Sequence, residues 1–175
     1  DLYARNNKFD IVIFLDADYE HDPKCIPQFL KYFNKNNGLV IGKRKSYKTI
    51  KSNILNKWGN LWVKQIIKKN IDFSSGYRAI DMNSLKKLSL LSNGFEFDLE
   101  MILESYRFGI NINTIDISSK TASRKSHVKF KSWLEINNFF DKWILSNKEQ
   151  LQVKKHILFF TYLGYIVGRL LLIFF

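Results

Sequence analysis

The fold of this chain is decided first by the run Ile11-Val12-Ile13-Phe14-Leu15-Asp16-Ala17-Asp18-Tyr19-Glu20-His21-Asp22-Pro23. Its five leading apolar residues predict a short strand buried on both faces, as in a parallel sheet. Asp16 and Asp18 follow at positions i and i+2, where extended backbone points both carboxylates the same way. Ligands of open α/β sheets collect at such strand ends, so the pair, with Glu20 nearby, predicts an Mg²⁺ or Mn²⁺ site beside a phosphate. The alternative is an acidic turn in which Asp22-Pro23 opens a helix.

The composition limits the class of protein. At 175 residues the chain is long enough for one domain with a core. Its 28 Lys and Arg against 16 Asp and Glu give a formal net charge of +12, which favours nucleic acid, nucleotide phosphates or an anionic membrane as partners. A solvated lysine face remains the alternative. The single cysteine, Cys25, excludes an internal disulfide and indicates a reducing compartment.

A strand–helix–strand unit follows the acidic run. Apolar residues at helical spacing end near Asn36-Asn37-Gly38, and Leu39-Val40-Ile41-Gly42 predicts the second strand. Lys43-Arg44-Lys45 then lies at the same sheet edge as Asp16, where cations suit a phosphate site. A solvated loop is an equally open interpretation of this basic run.

The middle of the chain supplies small donors. After a helical pattern over residues 47–69, Asp72-Phe73-Ser74-Ser75-Gly76-Tyr77-Arg78 forms a turn that allows close backbone approach to a ligand. Arg78 has a guanidinium suited to phosphate or carboxylate, although an ion pair with Asp81 or Asp72 would also explain it. The pattern beyond predicts a helix over 83–91 capped by Asn83 or Ser84, a helix over 95–108, a strand over 110–117 and a basic loop over 118–131.

The end of the chain is apolar. Residues 132–153 predict an amphipathic helix with Trp133 and Trp143 at a membrane interface. Residues 154–175 begin with basic residues and continue with about 19 apolar ones, enough to span a bilayer. A buried core helix is the alternative. The basic flank predicts a membrane protein whose catalytic part faces the cytoplasm.

These motifs resemble, in order, the dolichyl-phosphate mannose synthase-like branch of the inverting glycosyltransferases with the GT-A fold. Residues 16–23 look like that branch's Asp-Ala-Asp-Leu-Gln-His-Pro-Pro signature, with Glu20 in place of the usual Gln. Val40-Ile41-Gly42-Lys43-Arg44 is similar to its Val-Ile-Gly-Ser-Arg segment, and residues 72–79 to its Asp-x-Thr-Ser-Gly-Phe-Arg-Ala segment. The resemblance covers nearly all of residues 8–132.

The resemblance implies a Rossmann-like α/β fold: a mixed sheet flanked by helices, followed by the amphipathic helix and a transmembrane helix. Together with the apolar pattern of the last 44 residues, it divides the chain into a partial GT-A domain (1–131), an interfacial helix (132–153) and a spanning segment (154–175). Because the family's first strand and base pocket have no counterpart here, we expect an N-terminal part to be missing. The loop around Arg124 departs from the family pattern in lacking a glycine.

The implied reaction moves a hexose, with inversion, from a nucleotide sugar of the GDP-mannose or UDP-glucose type to dolichyl or undecaprenyl phosphate. An anionic acceptor needs no general base, whereas a hydroxyl acceptor would make Asp98 or Glu100 the candidates. The residues that the resemblance places in the site are Asp16, Asp18 and Glu20 on the metal, Asp18, Arg44 and Arg124 in catalysis, and Asp16, Ser75, Gly76, Arg78, Ser126 and Lys129 on donor or acceptor.

Other interpretations stay open at this point. The chain fits a non-catalytic accessory membrane protein that keeps part of the fold. A processive synthase is disfavoured because the sequence has no Gln-x-x-Arg-Trp motif. No nucleic-acid partner is expected, because the aromatic residues lie on apolar faces and no binding motif accompanies the charge. The oligomeric state is not predicted.

Overall fold

A computed structural model describes residues 8–17, 21–33, 36–44, 50–118, 130–151, 155, 157–159, 161–163 and 166. The chain divides into two compact units. The first comprises Asp1–Leu91 and Glu100–Ser123, and the second Ser92–Leu99 and Arg124–Phe175. The sheet and most of the predicted site belong to the first unit.

The first unit is built on a mixed four-stranded sheet, as expected. Its strands are β1 (Ile11–Phe14), β2 (Leu39–Arg44), β3 (Arg78–Asp81) and β4 (Ile112–Ile117), in the order β1-β3-β2-β4. β3 is antiparallel to both β1 and β2, whereas β2 and β4 are parallel. The ends of β1 and β2 therefore meet the beginning of β3 at one edge of the sheet, which confirms the predicted proximity.

The prediction that β1 is buried on both faces is wrong. All four of its residues are only half-buried, whereas Leu39, Val40 and Ile41 of β2 are fully buried. Among the described strands, β1 has one neighbour and β2 has two. An apolar run shows that a strand can be buried. How far the strand is buried depends on the strands and helices that pack against it in the fold.

The helices follow the predicted pattern with shorter bounds. The predicted cap of the helix after β3 is wrong: Asp81, the last residue of β3, caps it by accepting from Ser84 N–H at 2.9 Å. The second oxygen of Asp81 accepts from Gly38 N–H at 2.6 Å. The helices are α1 (Ile26–Phe33, after a 3₁₀ turn at Pro23–Cys25), α2 (Ile50–Ile67), α3 (Met82–Leu85), α4 (Phe97–Arg107) and α5 (Phe130–Asn147).

A cluster of buried apolar side chains packs between α1 and the sheet. Phe29 of α1 packs its ring 4.7 Å from that of Tyr77, and Val40 and Ala79 fill the sheet face below. Burial of a side chain the size of Phe29 or Val40 contributes about 1.5–3 kcal/mol. This packing ties the helix after the acidic run to the turn before β3.

Gly38, between α1 and β2, has a positive φ of +121°. A Cβ atom at this position would lie 2.2 Å from the carbonyl oxygen of Asn111. Only glycine meets both the backbone conformation and this close approach.

The second unit carries α5, which confirms a helix in the predicted amphipathic segment. Phe140, Trp143 and Ile144 of its apolar stripe are buried, so a membrane-facing position for these three side chains is wrong. In the described part of the chain no helix is long and apolar enough to cross a bilayer. Most of the predicted spanning segment, residues 154–175, lies outside the described residues.

Candidate active site

The candidate site opens at the sheet edge where β1 ends. The Asp16 side chain is 57% exposed, and its carboxylate lies against Gly76 in the turn before β3. A Cβ atom on Gly76 would be 2.3–2.6 Å from the carboxylate atoms of Asp16. The structure therefore brings together two predicted site residues that are 60 positions apart, and a glycine is needed at the contact.

His21 holds the other side of Asp16. The backbone N–H of Asp16 donates to His21 Nδ1 at 3.3 Å, and the same nitrogen lies 3.7 Å from Asp16 Oδ2. The imidazole is 2% exposed, and its centroid is 5.1 Å from that of the Tyr77 ring. Sequence reasoning did not assign His21 a role, although its place in the signature motif was a usable signal.

Tyr77 is the buried support of this corner. Its hydroxyl donates to the backbone carbonyl of Asp22 at 3.2 Å, and its own carbonyl accepts from Gly42 N–H at 2.8 Å. Burial raises the pKa of Tyr77 to about 12, and electrostatic repulsion from Cys25 and Asp22 nearby adds to the shift. The phenol therefore stays neutral near pH 7 and acts as a structural donor.

Arg44 is held rigidly at the end of β2. Its Nε and Nη2 donate to the two oxygens of Asp72 at 2.8 and 2.9 Å, and Nη2 also donates to Ser74 Oγ at 2.7 Å. The Arg44 side chain is 16% exposed and that of Asp72 is 1% exposed. A solvated loop, the alternative for the basic run, does not describe Arg44. Its guanidinium is oriented before any ligand binds.

Arg78 and Ser75 are buried components of the same turn. Arg78 has no exposed surface, and its guanidinium donates to the backbone carbonyls of Ser75 and Phe73. This geometry favours a role in shaping the turn over direct contact with a ligand. Ser75 is also fully buried, and its hydroxyl has no hydrogen-bond partner in the described part of the chain.

Glu100, a candidate base for a hydroxyl acceptor, accepts the Leu91 N–H with both carboxylate oxygens at 3.1 Å. It is 5% exposed, so its geometry is that of a buried structural carboxylate. The other candidate base, Asp98, is half-buried and belongs to the second unit.

Part of the predicted site lies outside the described residues: Asp18, Glu20, Arg124, Ser126 and Lys129. The described residues contain no group of three His, Cys, Asp or Glu side chains that would hold a metal ion. Of the predicted metal ligands, Asp16 is the described one, and its exposed carboxylate oxygen is a suitable donor for Mg²⁺ or Mn²⁺.

Comparison with known proteins identifies the family. Residues 3–93, just over half of the chain, match the family described as Glycosyl transferase family 2. The chain belongs to this family. The chain is similar in sequence to undecaprenyl-phosphate mannosyltransferase of Micrococcus luteus. The two are 28% identical over 122 residues, which cover 63% of this chain and 49% of that protein.

The fold of this family 2 chain is also similar to that of solved structures. Glucosyl-3-phosphoglycerate synthase from Mycobacterium tuberculosis, in complex with Mn²⁺, UDP-glucose and phosphoglyceric acid, superposes with a TM-score of 0.59 at 13% identity, covering 86% of this chain and 52% of that one. Its complex with phosphoglyceric acid gives 0.58 at 14%, with the same coverage. These matches confirm the GT-A-like α/β fold. The chain spans about half the length of each of these proteins.

Proposed function

We propose that this protein transfers a hexose from a nucleotide sugar to a polyprenyl phosphate at a membrane, with inversion. The observation that carries the proposal is the corner at the sheet edge, where the exposed Asp16 carboxylate lies over Gly76 and Arg44 is oriented by Asp72. An anionic ligand for a metal and a fixed cation for a phosphate are the two groups that such a transfer needs. Family 2 membership and the undecaprenyl-phosphate mannosyltransferase relative support the same reaction.

Asp16, with Asp18 and Glu20, would hold Mg²⁺ or Mn²⁺ on the donor diphosphate. When bound, the ion supplies a Lewis acid that stabilises the charge of the departing nucleoside diphosphate. The glycosyltransferase with the similar fold was crystallised with Mn²⁺ and UDP-glucose, which supports a metal here. The buried hydroxyl of Ser75 is a donor available to the sugar if the turn opens towards it.

The acceptor step needs no side chain that removes a proton. A polyprenyl phosphate is already anionic at neutral pH, and Arg44 would orient that oxygen towards the anomeric carbon. The engagement of Glu100 with Leu91 N–H supports this route, because it leaves that carboxylate a structural group. The chemistry of Arg44 is therefore positioning and charge stabilisation.

A membrane location is part of the proposal. Four apolar side chains near the C-terminus, Phe159, Tyr162, Leu163 and Ile166, are 47–66% exposed. Such surface is costly in water and suits contact with lipid. We therefore place residues 154–175 at or across the bilayer, with the catalytic part on the cytoplasmic face.

A transfer assay in detergent tests the proposal. The full-length protein is supplied with Mn²⁺, radiolabelled GDP-mannose or UDP-glucose, and undecaprenyl or dolichyl phosphate. We expect labelled lipid from one donor, and its loss in Asp18→Ala without loss of membrane attachment. Full transfer by Asp18→Ala would refute the metal-assisted mechanism. Absence of transfer by the wild-type protein with every donor would favour the non-catalytic accessory protein instead.

A further inference from the structure

One side chain holds the residue at which the acidic run begins. Asp16 begins the run and His21 follows it, and the Asp16 N–H donates to His21 Nδ1 across five positions at 3.3 Å. Because Nδ1 accepts a hydrogen bond, it carries a lone pair and no proton in this arrangement. His21 therefore fixes the backbone of Asp16 just after the end of β1.

His21 can hold Asp16 in place because His21 is itself buried against the core. The imidazole is almost fully buried and lies on the ring of Tyr77, which has no exposed surface. Tyr77 in turn packs on Phe29 and donates to the Asp22 carbonyl. Asp16 is thus connected, through the rings of His21 and Tyr77, to the buried core of the first unit.

The same imidazole also lies beside the Asp16 carboxylate. Oδ2 lies 3.7 Å from His21 Nδ1 on one side, and Gly76 leaves the other side open by having no Cβ. The carboxylate is therefore bounded by the imidazole of His21 on one side and by the backbone of Gly76 on the other. An oriented, charged carboxylate is what a divalent cation requires.

We infer that His21 is a positioning residue, which holds Asp16 so that its carboxylate is oriented for the metal before the metal binds. This inference rests on the proposed function, since it assigns His21 to the same metal site. Groups that orient metal ligands from behind typically contribute about 10–100-fold in metal affinity or activity. We expect the loss of the Nδ1 acceptor to have an effect of that size.

Two variants separate the acceptor from the packing. His21→Asn keeps an acceptor near the position of Nδ1 but removes ring contact with Tyr77. His21→Phe keeps a ring on Tyr77 but removes the acceptor. We expect His21→Phe to bind Mn²⁺ about 10–100-fold more weakly than the wild type, and His21→Asn to stay close to it. The free energy of unfolding should rank the opposite way, with His21→Phe the more stable variant.

Mn²⁺ binding is measured on the full-length protein without donor or acceptor, by the electron paramagnetic resonance signal of free Mn²⁺. Transfer assays add the KM for Mn²⁺, which should rise in His21→Phe more than kcat falls. Exchange of the Asp16 amide proton, followed by NMR, should be protected in the wild type and in His21→Asn, and fast in His21→Phe.

Mn²⁺ affinity that follows stability, with His21→Phe near wild type, would overturn the inference. So would fast exchange of the Asp16 amide in the wild type, a result that needs no folded variant. Asp16→Asn distinguishes this failure from failure of the proposed function. If Asp16→Asn weakens Mn²⁺ binding and His21→Phe does not, the metal site stands and the role of His21 is refuted. If the wild type binds no Mn²⁺, both are refuted.

Discussion

Replacing Asp72 by alanine tests the arrangement at the end of β2. The substitution removes both acceptors of the Arg44 fork, at 2.8 and 2.9 Å, and leaves a guanidinium whose side chain is 16% exposed. Removing one partner of a buried ion pair costs about 3–5 kcal/mol, because the remaining charge is neither paired nor hydrated. The partial exposure of Arg44 and its bond to Ser74 place the expected loss at about 3 kcal/mol, the lower end of that range.

Such a loss is a large part of the roughly 5–15 kcal/mol that stabilises a typical domain. It is measured by guanidinium denaturation of Asp72→Ala beside Asp116→Ala, a control that removes an exposed carboxylate from the neighbouring β4 strand. The control should change stability little. The double variant Arg44→Met with Asp72→Leu should be more stable than Asp72→Ala alone, because no unpaired charge remains.

The same pair has a consequence for activity. Without Asp72 the Arg44 guanidinium is no longer held in one direction, so the KM for the phosphate acceptor should rise more than kcat falls. A loss of unfolding free energy below about 1 kcal/mol in Asp72→Ala, the size typical of an exposed pair, would refute the reasoning that this is a buried, rigid contact.

Three further predictions concern the same unit. Gly76→Ala should displace the exposed Asp16 carboxylate and so reduce Mn²⁺ affinity and sugar transfer. The temperature of thermal unfolding should stay near that of the wild type, because the Asp16 side chain can move aside. Unchanged Mn²⁺ binding would contradict this prediction. Gly59→Ala would place a methyl group 2.3 Å from the Phe73 ring and should cost about 1–3 kcal/mol in denaturant unfolding, since the packed ring has no room to retreat. For Tyr77, the folded pKa of about 12 lies above the ordinary value of 10.0, so the contribution of this residue to stability should be constant below pH 10 and fall between pH 10 and pH 12 as the unfolded state ionises first. Tyr77→Phe should remove about 3 kcal/mol of that fall, and an identical pH profile in the variant would argue against it.

Local patterns were sufficient for the elements and for part of the site. The apolar run before Asp16 predicts β1, and the helical spacing after Asp22-Pro23 predicts α1, because both depend on nearest neighbours in the chain. The turn of small residues at 74–76 was also visible, since a close backbone approach requires glycine. These features carried the resemblance to the family, which the comparisons confirm.

Long-range pairing was not predictable in the same way. The partner of Arg44 is Asp72, 28 positions away, whereas the sequence offered phosphate or solvent as its surroundings. Arg78 carries the charge pattern of a ligand contact, yet the sheet buries it completely. Neither the distance nor the burial of a side chain is encoded in the residues beside it along the chain.

By itself, then, the sequence determined the strands, the helices and the family, because these depend on local periodicity and on the order of short motifs. Only the tertiary structure decided that β3 lies between β1 and β2, and hence that Gly76 meets Asp16 and that Asp72 receives Arg44. It also decided that the ring of His21 packs against Tyr77 and that His21 Nδ1 accepts the Asp16 N–H. The physical reason is that charge, burial and hydrogen bonding act between atoms that are close in space, and the sheet brings them there across tens of residues.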